Sequence, residues 1–302
     1  GHGVESRLVP NADGTKANLY ASVGPAVEGG VVLSGHTDVV PVDGQPWTSD
    51  PFEVVERDGR LYGRGTCDMK VFIALALAKV PRMLSAGMKQ PIHLALSYDE
   101  EIGCLGAPGM IDEIIREVPR PRAVIVGEPT SMQPVNAHKG MTMMHTTVTG
   151  HEAHSSQTHR GVSAVMTAAR LIAYLDDMAK DNAANRLSAM AFEPPYSSIH
   201  VGVVNGGTAI NIISRECVFS WDIRNIPEDD PMSFVDQFKA YCEKEVLPGM
   251  RAIAPQTNID TELGIQTPAL GPEPDGEAEN LVRQLTGHNT AAAVPYAAEA
   301  GQ

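Results

Sequence analysis

The sequence has 302 residues, which is enough for one large domain or two modest domains with cores of their own. Its 37 acidic and 23 basic side chains give a formal net charge of −14, which argues against nucleic acid and anionic membrane surfaces as partners. No apolar run is long enough to span a bilayer. Four cysteines without a CxxC pair are interpreted as the reduced thiols of a cytoplasmic protein: Cys67, Cys104, Cys217 and Cys242.

The first apolar segment, Val31–Ser34, is predicted to form a short buried strand that leads to His36 and Asp38. Residues i and i+2 of an extended chain point to the same side, so the imidazole and the carboxylate face one point. A carboxylate on the far nitrogen of an imidazole fixes its tautomer, as it does beside a metal-bound histidine. A surface histidine beside a turn aspartate is the alternative, and Pro41 and Gly44 are compatible with such a turn.

Asp68 comes directly before an apolar segment, Val71–Met83, that is predicted to form a helix. Pro81 is expected to bend or end that helix. An aspartate at such a junction is either an ordinary N-cap residue or a metal ligand, and the local sequence alone favours the N-cap.

A second predicted strand, Ile92–Ser97, runs into an acidic segment that contains Glu100 and Glu101. Adjacent carboxylates repel each other unless a positive charge offsets them. Because neighbouring residues of an extended chain point to opposite sides, these two glutamates should have different roles. A solvated acidic loop is the alternative. A third predicted strand, Ala123–Val126, ends shortly before Glu128.

Buried strands that end at histidine or acidic side chains are typical of an α/β protein with a doubly wound, mostly parallel sheet. In such sheets, sites form in the crevice beyond the carboxyl ends of the strands. A histidine with several carboxylates and no cysteine suits zinc or a similar divalent ion. The sequence therefore predicts a metal centre at this edge.

Four segments carry a resemblance to a known family: SGHTDVVP, GRGTCDMK, SYDEEIG and VGEPT. They are similar to the co-catalytic zinc metallopeptidases (M20), which include succinyl-diaminopimelate desuccinylase and glutamate carboxypeptidase, and they most resemble the acetylornithine deacetylase branch. The resemblance covers essentially the whole chain. Val71 departs from the branch, which usually has glycine at that place.

The resemblance implies two divalent metal ions, zinc or cobalt, and a role for each acidic or histidine residue named above. His36 would bind one metal, Asp68 would bridge both, and Glu101 and Glu128 would each complete one. Glu100 would be the general base, and Asp38 would orient His36.

From about residue 140, the predicted elements follow the order strand-helix-strand-strand-helix-strand, which suggests a ferredoxin-like domain. They are Thr142–Thr149, Gly161–Lys180, Ser198–Val204, Val218–Arg224, Pro231–Leu247 and a last strand that begins at Arg251–Ala254. The resemblance makes this insertion a lid and dimerisation domain. The predicted division is therefore a catalytic metal-binding domain in residues 1–139 and 265–302, with the lid in residues 140–264.

Three residues of the insertion are candidates for the active site. By the resemblance, His154 reaches the partner subunit's active site and stabilises the oxyanion, while Asn211 and Arg224 hold the substrate. An arginine fork suits a free carboxylate, although a surface arginine at a strand end is the alternative. His151 and His154 are spaced one residue too closely for two zinc ligands on one helical face.

These features predict a metal-dependent amide hydrolase that removes an acyl group, acetyl foremost, from the nitrogen of an amino acid. The resemblance implies N-acetyl-L-ornithine as the substrate, converted to L-ornithine and acetate in arginine biosynthesis by a homodimer. Open alternatives are a desuccinylase, an aminoacylase, a carboxypeptidase or dipeptidase of the same family, and a non-catalytic homologue.

The ligand count adds a further expectation. One metal receives a histidine and two carboxylates, but the other receives two carboxylates only, whereas catalytic zinc normally has three protein ligands. The family supplies a further histidine near its C-terminus, and His288 does not match it because it precedes the predicted strand Ala291–Val294. The chain is therefore expected to be truncated at both ends and to bind its second metal weakly.

Overall fold

The structure is a computed structural model, and it describes residues 2–185, 188–274 and 276–302. The strands are β1 (Ser6–Pro10), β2 (Ala17–Val23), β3 (Val31–His36), β4 (Val55–Arg57), β5 (Arg60–Tyr62), β6 (Ile92–Ser97), β7 (Ala123–Val126), β8 (Val135–His138), β9 (Met141–Thr149), β10 (Ser198–Gly206), β11 (Glu216–Arg224), β12 (Asn258–Thr267) and β13 (Ala292–Val294). The α-helices are α1 (Lys70–Ser85), α2 (Ala107–Glu117), α3 (Ala164–Asn185), α4 (Pro231–Tyr241), α5 (Leu247–Ile253) and α6 (Glu277–Thr286).

The first sheet has the strand order β1-β2-β6-β3-β7. The strands β6, β3 and β7 are parallel, and β2 and β1 are added to them in antiparallel pairings. This corrects the expectation of a mostly parallel sheet, because the β1–β2 hairpin makes the sheet mixed. The three apolar strands predicted from the sequence form its parallel part.

Helices cover both faces of this sheet. On one face, Leu94 of β6 lies in a common core with Ala76 of α1. On the other face, Ala95 of the same strand lies in a core with Met110 of α2. Since neighbouring residues of a strand point to opposite sides, the apolar sequence of β6 reflects burial on both faces.

The second sheet has the order β10-β11-β9-β12, with every neighbouring pair antiparallel. This is the strand arrangement of a ferredoxin-like fold, as the order of elements predicts. Its core joins the inward side chains of β11 to α3 and α4. Trp221 packs against Phe238 with their ring centroids 5.1 Å apart, and the Trp221 indole nitrogen donates to Thr146 Oγ1 at 3.0 Å.

One element prediction in this part is wrong, and a second, the helix over Pro231–Leu247, is confirmed with a π-helical interruption. The segment Arg251–Ala254, expected to begin a strand, contains the end of α5, and the last strand is β12. The predicted helix Pro231–Leu247 is divided into α4, a π-helical turn over Cys242–Val246 and the beginning of α5. Helical structure continues because Pro248 lies in the first turn of α5, where a proline is tolerated.

In the first half, Pro81 does not end α1, which continues to Ser85. None of the helices in the described ranges has the length and apolar character of a membrane span. The cysteines are free thiols, and Cys67 is exposed whereas the other three are buried.

Candidate metal centre

The candidate site lies where the parallel strands β6, β3 and β7 end side by side. His36 is the last residue of the central strand β3, and it is fully buried. Glu100 and Glu101 follow β6, and Glu128 follows β7. The Gly127 N–H donates to the Ser34 carbonyl at 3.0 Å, which keeps the segment carrying Glu128 beside β3.

Asp68 reaches His36 from the beginning of α1. Its Oδ1 lies 2.9 Å from His36 Nε2. The N-cap position of α1 is Met69, without a side-chain cap, so Asp68 is not the N-cap residue that the local sequence favours. Gly35 lies against the end of the neighbouring Met69 side chain, since a Cβ at this glycine would lie 2.6 Å from the Met69 methyl carbon. Val71 is half-buried in the first turn of α1, and the Asp68 carboxylate still contacts His36.

The hydrogen bonds of His36 determine which ring nitrogen could bind a metal. Its Nδ1 lies 3.1 Å from the Asp38 carbonyl oxygen and 3.4 Å from Asp38 Oδ1. A carbonyl oxygen only accepts, so Nδ1 carries the hydrogen. In the neutral ring, Nε2 then has the lone pair that a metal ion could use, on the side that faces the carboxylates of Asp68 and Glu128, the latter at 3.9 Å. Asp38 therefore orients His36, partly through its backbone.

The side chains form two overlapping groups of possible ligands. The ligand atoms of His36, Glu100 and Glu128 lie within 4.8 Å of one another, and so do those of His36, Asp68 and Glu101. The structure thus brings the four predicted metal ligands together and adds Glu100, the predicted general base. His36 is the only histidine in either group of the described residues.

These residues fit a divalent cation. The Glu128 Oε1 atom is buried and has no hydrogen-bond partner among the described residues. An unpaired buried carboxylate oxygen is costly, and a cation would satisfy it. Imidazole and carboxylate donors without sulfur suit zinc and related divalent ions.

The pKa values at the site show how strongly it needs positive charge. Burial, and then the charge of Glu100, raise the pKa of Glu128 to about 8. Burial also raises the pKa of Glu100 to about 7, although the charge of His36 opposes this. Burial opposes charge on His36 too, but its bond to Asp38 and the charges of Glu100 and Glu128 raise its pKa to about 10. Near neutral pH, the site without a cation is therefore partly protonated, and metal binding is expected to release protons.

Asp38 also supports the adjacent glutamates. Its carboxylate accepts hydrogen bonds from the N–H groups of Glu100 at 3.2 Å and Glu101 at 3.1 Å. Burial opposes ionisation of Asp38, but its bonds to His36 and to these N–H groups lower its pKa to about 2. One ionised side chain thus fixes the imidazole and the loop that follows β6.

Two residues near the centre were given no role by sequence reasoning. Asn18 is a buried residue of β2 that bonds to both ends of the segment carrying Glu100 and Glu101. Glu299 is a buried carboxylate of the C-terminal segment, and its side chain accepts from Ser34 Oγ on β3. The sequence around Asn18 or Glu299 does not indicate these roles, because the hydrogen-bond partners of both residues are distant in the chain.

An open cavity of about 340 Å³ lies over the carboxylates. Its lining residues come from the loops after the strands and from the C-terminal segment: Asp68, Glu100, Glu101, Glu128, Pro129, Tyr296, Ala297 and Ala298. A small substrate placed there would contact the candidate ligands directly.

The three candidate residues of segment 140–264 lie elsewhere, and none of them is among the described residues that line this cavity. His154 and Asn211 are exposed neighbours, since the Ser155 N–H donates to the Asn211 carbonyl at 3.0 Å. Arg224 ends β11, with its Nε 2.7 Å from Asp222 Oδ2. His151 pairs with Val162 in an extended bridge, so no zinc-binding helix forms there.

The tautomer of His154 follows from its hydrogen bonds. The Ser156 N–H donates to His154 Nδ1 at 3.2 Å. An accepting Nδ1 places the hydrogen of the neutral ring on Nε2. His154 therefore presents an N–H donor from an exposed position.

Comparison with known proteins agrees with this arrangement. The sequence pattern of peptidase family M20/M25/M40 matches residues 32–263. The chain belongs to this family. It is 39% identical over 227 residues to an acetylornithine deacetylase from Shigella sonnei (strain Ss046), a match that covers 75% of this chain. The chain spans 58% of the length of that M20 relative.

Solved structures of two peptidases share the fold. A family M20 metallo-carboxypeptidase, Sso-CP2 from Sulfolobus solfataricus, superposes with a TM-score of 0.71 at 16% identity, over 99% of this chain and 79% of its own. The aminopeptidase PepT from Bacillus cereus ATCC 10987 gives a TM-score of 0.68 at 17% identity, over 98% of this chain and 77% of its own. At these identities, the likeness concerns the fold alone.

Proposed function

We propose that the protein is a metal-dependent hydrolase of an amide bond that releases the acyl group of an N-acyl amino acid. The observation that carries the proposal is the cluster of His36 with four carboxylates beside a cavity at the carboxyl ends of three parallel strands. The 39% identity to an acetylornithine deacetylase supports acetyl as the acyl group and ornithine as the amino acid. The reaction would then belong to arginine biosynthesis.

The proposed metal ligands are His36, Asp68, Glu101 and Glu128, with Asp68 between two divalent ions, zinc or cobalt. Such ions, when bound, polarise a carbonyl oxygen and lower the pKa of a coordinated water. The chain's part is to hold those donors, as the Asp38 carbonyl does when it fixes the tautomer of His36.

Glu100 is the proposed general base. It lines the cavity, and burial raises its pKa to about 7, which suits a group that both accepts and returns a proton near neutral pH. Its carboxylate would take a proton from the attacking water and deliver it to the nitrogen of the leaving amine. Water and amide are consumed, and the carboxylate and amine are formed.

We further propose that residues 140–264 act as a lid and dimerisation domain on a catalytic domain formed by residues 1–139 and 265–302. The exposed Nε2–H of His154 would donate to the oxyanion in the partner's site, and Asn211 and Arg224 would bind the substrate. The bond to Asp222 occupies one edge of the Arg224 guanidinium and leaves other N–H groups for the α-carboxylate. The free thiols support a cytoplasmic location.

The test of the general base compares two neighbouring variants. Glu100→Gln should abolish release of acetate from N-acetyl-L-ornithine while zinc content stays close to that of the unmodified protein. Glu101→Gln should lower zinc content as well as activity. Equal loss of zinc in both would assign Glu100 to the ligands and refute its role as base.

Substrate class is tested with N-acetyl-L-ornithine, N-succinyl-diaminopimelate, other N-acyl amino acids and dipeptides, each assayed with zinc and with cobalt. Preference for the acetyl substrate supports the proposal, whereas preference for another assigns the alternative. No turnover of any, with metals bound, would favour a non-catalytic homologue.

The shared site is tested by mixing Glu100→Gln and His154→Ala proteins under conditions of subunit exchange. A hybrid dimer would contain one intact site, so part of the activity should return. Demonstrated exchange without recovery would remove His154 from the partner's site.

A further inference from the structure

The buried carboxylate of Glu299 joins the C-terminal segment to the two strands that lead into the metal centre. Glu299 begins the turn Glu299–Gly301, and the residue is only 6% exposed. Ser34 Oγ donates to its Oε1 at 2.5 Å, and Ser97 Oγ donates to its Oε2 at 2.6 Å. The partners are distant in sequence, so this contact forms only in the folded chain.

Both serines lie next to the candidate ligands. Ser34 is two residues before His36 on β3, and the two side chains therefore point to the same side. Ser97 ends β6 and is paired with His36 in the parallel register. Its carbonyl oxygen also accepts the N–H and the hydroxyl of Thr37, each at 2.9 Å. Ser97 thus fixes the ends of β3 and β6 to each other, and the hydrogen bond to Glu299 fixes the Ser97 side chain.

The charge of Glu299 has no basic partner within ion-pair distance in the described part of the chain. Two hydroxyl groups donate to its oxygens, which is the pattern of an ionised carboxylate. Its charge contributes to the raised pKa values of Glu100 and Glu128. A buried charge that has no basic side chain at ion-pair distance is costly unless a cation lies near it.

We propose that Glu299 is a positioning residue of the metal centre: without binding a metal itself, it fixes the ends of β3 and β6 through Ser34 and Ser97, and its negative charge strengthens the binding of divalent cations above it. This inference rests on the metal centre of the proposed function. It adds a role for a residue outside both groups of possible ligands.

Two variants separate the charge from the contact. In Glu299→Gln, the amide oxygen accepts from one serine and the amide nitrogen donates to the other, so the contact remains and the charge is lost. Glu299→Ala removes both. A matched control is Glu273→Gln, which removes an exposed acid of the same C-terminal part.

The experiment titrates zinc into the metal-stripped protein against a chelating dye at pH 7.5, with circular dichroism to verify folding. Glu299→Gln should bind zinc roughly 10–100-fold more weakly, the range expected when a partner beyond the ligands is changed. In EDTA, its melting temperature should equal or exceed that of the unmodified protein, because a buried unpaired charge is gone. A purely structural role predicts the opposite, a lower melting temperature without metal.

Each outcome of the titration supports or overturns the inference. Zinc affinity of Glu299→Gln within twofold of the unmodified protein overturns the inference but leaves the metal centre intact. Absence of zinc binding in the unmodified protein overturns both. Weakened binding in a protein that does not hydrolyse any N-acyl amino acid supports the inference and refutes the proposed function. If Glu299→Ala does not fold, Ser97→Ala replaces it and should also weaken zinc binding.

Discussion

Asn18 fastens the segment that carries the adjacent glutamates, and its removal should have a large effect. The residue is 1% exposed on β2. Its Oδ1 accepts the Tyr98 N–H at 3.1 Å and its Nδ2 donates to the Gly106 carbonyl at 2.9 Å. These two bonds close residues 98–106 at both ends. No room remains for rearrangement at Gly106, where a Cβ would lie 2.3 Å from the Tyr98 carbonyl oxygen.

The magnitude follows from what Asn18→Ala leaves behind. The partly buried Tyr98 N–H loses its partner, and an unsatisfied group of this kind costs about 1–3 kcal/mol. The Gly106 carbonyl loses one of two donors, because as the N-cap residue of α2 it also accepts the first N–H of that helix. The free energy of unfolding should therefore fall by about 1–3 kcal/mol. Asn18→Asp keeps the shape but places a carboxylate oxygen against the Gly106 carbonyl, so it should destabilise comparably.

Urea unfolding at pH 7.5 in EDTA measures the change, and hydrogen exchange of residues 98–106 locates it. Asn280→Ala, at an exposed position of α6, is the control and should stay within about 0.5 kcal/mol of the unmodified protein. A loss below about 0.5 kcal/mol for Asn18→Ala, or unchanged exchange in the loop, would show that the side chain does not fasten it.

Three further predictions test other parts of the site. Gly127→Ala places a Cβ 2.2 Å from the Phe72 ring and should destabilise the protein by about 1–3 kcal/mol in urea unfolding, whereas Gly109→Ala, in open space on α2, should not. Burial lowers the pKa of His93 in the folded protein. Below the ordinary histidine pKa of about 6.5, the unfolded state therefore binds more protons than the folded state. The free energy of unfolding should fall as the pH drops from about 7.5 through about 6.5. His93→Gln should reduce that pH slope, and an unchanged slope would contradict the assignment. Calorimetric titration with zinc should resolve one tight and one weak site, because His36 is the only histidine in either ligand group of the described residues; two equally tight sites would refute this.

The parallel part of the first sheet and its acidic edge could be predicted because the information is local. Continuous apolar runs such as Ile92–Ser97 indicate strands buried on both faces. The side chains that follow them then meet at one edge whatever the connections between them. The same logic failed for Arg251–Ala254, since a short apolar segment fits a helix end and a strand start equally well.

The contacts that hold the site together could not be predicted. The helix α2 was not foreseen because Pro108 and Gly109 occupy its first turn and disguise its apolar periodicity. Asn18 and Glu299 act on backbone and hydroxyl groups far away in the chain, and nothing in their own neighbourhoods signals a partner. Which strands become neighbours in a sheet depends on tertiary packing, and that order determines the contacts of Asn18 and Glu299.

The reactivity of the cysteine thiols should show whether the protein is folded, because one of the four is exposed and three are buried. Thiolate, not thiol, reacts with disulfide reagents. Burial raises the pKa of Cys104, of Cys217 and, to about 12, of Cys242, while Cys67 is exposed beside Asp68. A reagent such as dithionitrobenzoate should therefore count one thiol in the native chain and four after unfolding. A probe attached through that one thiol would sit a single residue from the proposed bridging carboxylate.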